Sequence, residues 1–325
     1  MNPIYSFDEI LDIVNDEIKN VKFTRPPKSL FDPISYILSL GGKRVRPALA
    51  LIAYNMYKSD VSKAFPIALG IEIFHNFTLL HDDLMDRADV RRGQPTVHKK
   101  WNDNTAVLSG DAMLIEAYRE IAKTDTSYLT PILSLFSDTA TEICCGQQYD
   151  MEFEQRMDVT IDEYMEMIRL KTAVLLGCAL KEGAMVAGAD IEDCDNLYQF
   201  GINIGLAFQL KDDLLDVYGD PKTFGKRIGG DILCNKKTYL LINALADNTV
   251  NSELLTWINK KDFDEKEKIN AVTNIYNKLE LKEKSEQLIN KYYKASIDNL
   301  DAIKVTPQRK EVLYRLTQDL IHRIS

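Results

Sequence analysis

Apolar residues recur at i, i+3, i+4 and i+7 along almost the whole of this 325-residue chain, and no other feature narrows its fold so far. FDEILDIVNDEI, RPALALIAYNMY, FPIALGIEIFHNFTLLHDDLMD, IDEYMEMIRLKTAVLLGCALKEGAMVAG and NLYQFGINIGLAFQLKDDLLDVYG each keep that spacing over several turns. Such a period stacks the apolar side chains on one face of a helix. The period-two alternation of strands, with its hairpin signals, is absent. Boundary residues agree. Thr160 precedes Glu163 as a capping box, Pro47 and Pro66 stand where first-turn prolines stand, and YGDPKTFGKRIGGD interrupts the pattern with a proline and four glycines. The expectation is an all-α protein, a single large bundle of antiparallel helices. No stretch is rich enough in Ser, Pro or Gly to serve as a linker, so residues 1–325 read as one domain.

Charge excludes several functions. The 49 acidic residues outnumber 40 basic ones for a net charge of −9, the wrong sign for a general nucleic-acid binder or a polybasic membrane-surface protein. No window approaches the roughly eighteen apolar residues a membrane span needs. The opening MNPIYSFDEILDIVNDEIKN lacks the basic and apolar regions of a signal peptide. Cys144, Cys145, Cys178, Cys194 and Cys234 are odd in number and show no metal-ligand spacing. They read as buried thiols in a reducing compartment, and the expected location is cytoplasmic.

Two acidic turns stand out, HDDLMD at 81–86 and KDDLLD at 211–216, each closing a long apolar helix. Residues i and i+4 lie about 40° apart on a helix, so Asp82 shares a face with Asp86 and Asp212 with Asp216, while Asp83 and Asp213 point about 100° away. Like charges at that spacing, near helix C-termini, are unfavourable unless something compensates. One such turn alone reads equally as a solvated acidic patch. Two, each over a run that must be buried, point to hard-cation ligands. Mg2+ takes one or two carboxylates and completes its shell with water and phosphate oxygens, which makes a diphosphate the natural third component.

The basic residues fit that picture. GGKRVRP at 41–47 offers the amides of Gly41 and Gly42 with Lys43, Arg44 and Arg46 where a helix begins. Arg91 and Arg92 can bind phosphate oxygens bidentately. Lys171 beside Thr172, Lys226, and the pair Lys236–Lys237 recur at breaks in the pattern. Each taken alone is most often a surface cation.

The ordered set GGKRVRP, HDDLMD, RRGQPT, SGDAML, GQQYD, KTA, GLAFQLKDDLLD, FGK and GGD resembles the trans-isoprenyl diphosphate synthases, the polyprenyl synthetase family, along nearly the whole chain. The resemblance implies helices around a deep apolar cavity, a homodimer, and head-to-tail condensation of isopentenyl diphosphate with an allylic diphosphate. It implies that Asp82, Asp86 and Asp212 ligate three Mg2+ on the allylic diphosphate, with Asp83 and Asp216 supporting. Arg91, Lys171, Lys226 and Lys236 would hold that diphosphate, although Asn235 in NKKT replaces the family's glycine and leaves Lys236 and Lys237 as alternatives. Gly42, Lys43, Arg46, His75 and Arg92 match the isopentenyl diphosphate pocket, and His81 is left as structural. Thr172 and Gln209 would set oxygens near the nascent carbocation, with Phe208 as an aromatic wall.

Such chemistry needs no nucleophile. Cations stabilise the departing diphosphate, and a dry cavity keeps water from the carbocation. In the family the residues four and five before the first aspartate form the cavity floor; here these are Thr78 and Phe77, with Phe74 a further possibility. One aromatic and one small residue, without an insertion in DDLMD, are similar to the geranylgeranyl-forming pattern. The twenty-carbon product is expected, with farnesyl diphosphate as the alternative. A terpene cyclase would replace KDDLLD with an Asn/Ser/Glu metal set, and a non-catalytic subunit of a heteromeric synthase would have lost part of the metal set or the arginine pair.

Overall fold

The computed structural model describes residues 4–220 and 228–321. Helices follow in the order α1 (Phe7–Asn20), α2 (Lys28–Ser39), α3 (Val45–Asn55), α4 (Phe65–Met85), α5 (Val97–Lys100), α6 (Asp103–Ile121), α7 (Thr126–Glu154), α8 (Ile161–Ile168), α9 (Val174–Ala187) and α10 (Ile191–Tyr218). After residues 221–227 come α11 (Gly230–Leu233), α12 (Tyr239–Ala246), α13 (Asn251–Asn259), α14 (Glu265–Lys278), α15 (Leu281–Ala302) and α16 (Pro307–Ile321). Two compact units emerge. One is built from Met1–Ser137, Cys178–Tyr198 and Ile303–Leu313, the other from Asp138–Gly177, Gln199–Ala302 and Tyr314–Ser325.

Local chemistry starts these helices where the residue types direct. Ser6 with Glu9 and Thr160 with Glu163 form reciprocal capping boxes at α1 and α8, and Pro66 enters the first turn of α4. In the first unit, α4 packs on α3 and α6 and buries Ile67, Ile71 and Phe74. Each such side chain contributes roughly 1.5–3 kcal/mol on burial. Phe136 meets Phe74 and Tyr118 edge-on at 5.1 and 5.0 Å.

Three features depart from the sequence expectation. A two-residue hairpin, β1 (Val90–Arg91) with β2 (Gln94–Pro95), follows α4. Its turn, Arg92–Gly93, has φ of 52° and 75°, the doubly left-handed geometry that matches strand twist. The stretch IDEYMEMIRLKTAVLLG is not one regular helix, because a π-helical turn, Arg169–Ala173, separates α8 from α9. Finally, Cys178 and Cys194 are buried, but Cys144, Cys145 and Cys234 are exposed, so the expectation of buried thiols holds for only two of the five; all five are free. No helix among the described residues is long and apolar enough to cross a membrane.

Candidate active site

In the first unit, the last turns of α4 sort three aspartates by their position on the helix. Asp86 is exposed and Asp82 half-buried on one face, while Asp83 is buried. The hairpin brings Arg91 back onto this turn: its Nε donates to Asp83 Oδ2 at 2.7 Å, and its Nη2 lies 3.8 Å from Asp82. Burial raises the Asp83 pKa and the Arg91 bond opposes that rise. Asp83 is therefore the anchor for Arg91, and the like-charge repulsion within DDLMD is relieved by a guanidinium eight residues further on.

A cluster of cations gathers at the start of α3 and the middle of α4. Arg46 Nη1 lies 3.3 Å from His75 Nε2, and the Arg46 Nε is buried without a hydrogen-bond partner. Burial pushes the Arg46 pKa down to about 10, with Glu72 resisting. His75 is held well below its ordinary range by burial and by Arg46, Arg92, Arg91 and Arg44, so it is neutral at pH 7. Arg92 donates to the carbonyl of Gly41. Gly42 is required there: its φ is 137°, and a Cβ would stand 2.7 Å from the Arg92 guanidinium. Lys43 is exposed at the rim. An excess of cations with an orphaned buried donor is the composition of an anion site.

Arg44 does not belong to that set. It is buried in an ion pair with Glu72 and donates to the Leu38 carbonyl at 2.6 Å, while Asn76 donates to Glu72 at 2.7 Å. The cradle read at GGKRVRP thus loses Arg44 to the core and keeps Gly42, Lys43 and Arg46. Phe77, 9% exposed, packs against Phe74 and His81 with ring centroids 5.5 and 4.8 Å away. Thr78 donates to the His75 carbonyl at 2.8 Å on the Asp82 face of α4. His81 approaches the Val107 carbonyl at 3.2 Å.

The second unit carries the other residues. Lys171 and Thr172 lie on the π-helical turn, where backbone carbonyls are displaced from regular pairing, a recurrent device of functional sites. The widened turn is accommodated because α7 offers Gly146, where a Cβ would stand 2.5 Å from the Lys171 amide nitrogen. Lys171 donates to Asp150 Oδ2 at 2.7 Å. Thr172 Oγ1 donates to Gln209 Oε1 at 3.2 Å, Gln209 Nε2 to Asp213 Oδ1 at 2.9 Å, and Tyr164 to Asp213 Oδ2 at 2.5 Å. Burial pushes Asp213 up to about 7, with Lys236 pulling the other way. Phe208 and Asp212 flank Gln209 on α10, both half-buried.

Asp216 is buried, and its Oδ2 accepts the Asp231 amide at 3.0 Å beside the start of α11. Lys237 is turned inward to the carbonyls of Glu154 and Asn235 at 3.3 and 3.4 Å, whereas Lys236 is exposed and acts on Asp213. Of the two lysines left as alternatives, Lys236 is thus the exposed one. Lys226 lies outside the described residues. Asp150, Tyr164 and Asp213 carry no role in the sequence reading; only GQQYD signals the first, since a buried tyrosine and the inward member of an aspartate pair leave no spacing signature.

The donors suit magnesium. Asp82, Asp86 and Asp212 present hard carboxylate oxygens, and among the described residues no three His, Cys, Asp or Glu form a protein-only cage. An ion sharing its shell with phosphate and water needs no such cage.

Helices that end in carboxylate turns beside clustered cations define the class of the helical prenyl synthases, and comparison agrees. The polyprenyl synthetase family matches residues 27–276, and the chain belongs to it. A geranylgeranyl diphosphate synthase of Saccharolobus solfataricus is 37% identical over 98% of this chain and 97% of its own length. A geranylfarnesyl diphosphate synthase of Natronomonas pharaonis is 37% identical over 72% of this chain and 74% of its own. Among solved structures, a geranylgeranyl pyrophosphate synthase superposes with a TM-score of 0.94 at 43% identity, covering 99% of this chain and all of that one.

Proposed function

We propose that this chain is a magnesium-dependent trans-prenyltransferase, acting as one domain, that joins isopentenyl diphosphate head-to-tail to an allylic diphosphate and ends at the twenty-carbon geranylgeranyl diphosphate. The observation that carries the reading is the division of labour at DDLMD, with Asp82 and Asp86 directed outward and Asp83 reserved for Arg91.

Asp82, Asp86 and Asp212 would hold the ions, three of them with substrate bound. Magnesium, when bound, acts as a Lewis acid on the leaving diphosphate. Arg91, Lys171 and Lys236 add charge-assisted hydrogen bonds to the same oxygens, which strengthen as negative charge develops. Lys43, Arg46 and Arg92, with the amide of Gly42, take the second diphosphate; neutral His75 can donate to an oxygen without adding charge. Because Gln209 spends its amide N–H on Asp213, its carbonyl oxygen and the Thr172 hydroxyl oxygen are the negative dipole ends offered to an allylic cation. Phe208 would supply an aromatic face to the same cation. After bond formation the released diphosphate takes the departing proton.

A homodimer suits the apolar Val107, Leu108 and Ile115, which α6 leaves exposed. Five free thiols suit a cytoplasmic location. The test is incubation of the purified chain with isopentenyl diphosphate, Mg2+ and dimethylallyl, geranyl or farnesyl diphosphate, with products sized by mass spectrometry. Magnesium-dependent diphosphate release ending at twenty carbons is expected. A fifteen-carbon end point would replace the product assignment, products of thirty or more carbons would refute it, and failure with every primer would identify a non-catalytic subunit.

A further inference from the structure

Lys268 stands in the first turns of α14, 1% exposed, and no carboxylate pairs with it among the described residues. Its ammonium donates to the Leu233 carbonyl at 3.3 Å and to Asn235 Oδ1 at 2.8 Å, and lies 4.4 Å from the Phe263 ring centroid. A lone interior cation is costly, and the positive end of a helix dipole makes it more so. Burial lowers its pKa accordingly. A lysine retained in such a place secures something else.

Its partner Asn235 has φ of 54°, the left-handed region, immediately before Lys236. Glycine takes that conformation without strain, and asparagine accepts it when its side chain is engaged locally. Here both ends are engaged: Oδ1 accepts from Lys268, and Nδ2 donates to the Ile258 carbonyl at 3.4 Å. Around Lys236 the backbone is tied on both sides. Its own amide donates to the Asp231 carbonyl at 2.9 Å, and its carbonyl accepts from Thr238 at 2.8 Å. Lys237 reaches back to the Asn235 carbonyl.

We propose that Lys268 is a positioning residue of the diphosphate site: by clamping Asn235 in its left-handed conformation, it sets the direction in which Lys236 leaves the loop. The role rests on the reading of Lys236 as a diphosphate ligand. It accounts for the asparagine of NKKT, since the clamp supplies the restraint that the residue itself lacks. It accounts equally for a buried ammonium whose partners are all neutral, because a charge-assisted bond to an amide oxygen is firm yet leaves that oxygen's residue uncharged.

Four variants of the full chain test this by steady-state kinetics, with inorganic pyrophosphate as a competitive probe. Lys268→Met should raise the KM for the allylic diphosphate and the pyrophosphate inhibition constant about tenfold, the scale of one misplaced charged hydrogen bond, and leave the KM for isopentenyl diphosphate unchanged. Adding Asn235→Gly to Lys268→Met should restore both constants to near wild type, because glycine needs no clamp; a purely structural lysine would show no such rescue. Asn235→Ala alone should match Lys268→Met and serves if the latter does not fold. Wild-type constants in whichever of these two folds, or a double variant as weak as Lys268→Met, would overturn the proposal. Lys236→Ala separates the premise: an unchanged allylic KM there would mean that Lys236 is not a ligand, and the positioning role would fall with it.

Discussion

Asp82 and Asp83 are neighbours in sequence with opposite fates, because 100° of helix rotation sends one carboxylate outward and the other to Arg91. The same arithmetic separates Thr78, on the Asp82 face, from Phe77, which enters the aromatic group of Phe74 and His81. If that group is the cavity floor, Phe77→Ala lengthens the product, measured as chain length by mass spectrometry. An unchanged product would place the floor elsewhere. The substitution costs about 3 kcal/mol of stability, so the assay belongs well below the unfolding temperature. Helix rotation was legible from spacing, which set Asp82 with Asp86 and turned Asp83 away from them, whereas the reading of His75 came only from the family resemblance. Arg44 and Arg46 were not separable, since a left-handed residue between loop and helix decides which arginine enters the core, and no period governs such a residue.

At the level of elements, the two that sequence reasoning missed are the hairpin and the π-helical turn, and each delivers residues to the candidate site. RRGQ lacks the Asn-Gly or Asp-Gly pair that announces a tight hairpin, although its Arg92–Gly93 turn has the same geometry. A π turn shifts the hydrogen-bond register without changing the apolar period on either side, so RLKTA reads as ordinary helix. The turn depends on the absence of a side chain at Gly146. Gly146→Ala should displace it and lower kcat by about tenfold or more, a 1.4 kcal/mol loss of transition-state stabilisation, with the KM for isopentenyl diphosphate little changed. Kinetics at saturating Mg2+ would check this; an unaltered kcat would mean that the turn yields without disturbing Lys171 and Thr172.

At the scale of the whole molecule, the helical character was legible because it rests on many redundant apolar positions. The assembly of the first unit from three separate stretches of chain was not, because long-range contacts leave no local period. Global stability also carries a pH signature. Glu182 is fully buried in α9 with the Cys178 thiol beside it, and burial pushes its pKa up to about 8. The unfolded chain releases this proton near the ordinary glutamate value of 4.5 and the folded chain releases it near 8, so stability falls as pH rises between those values. Glu182→Gln should remove that loss. Its unfolding midpoint should exceed that of the wild type by a margin that grows from pH 5 to pH 8, about 1 kcal/mol or more at the upper end. A margin independent of pH in thermal melts would contradict the assignment. The final stretch of the first unit contains Arg309, whose guanidinium donates to the carbonyls of Asn55 and Met56 at 2.9 and 3.0 Å, at the C-terminal end of α3. On a ribosome, α3 must therefore wait for a segment made 254 residues after Asn55 before this part of its shell closes, an interval in which its greasy face stays open to water.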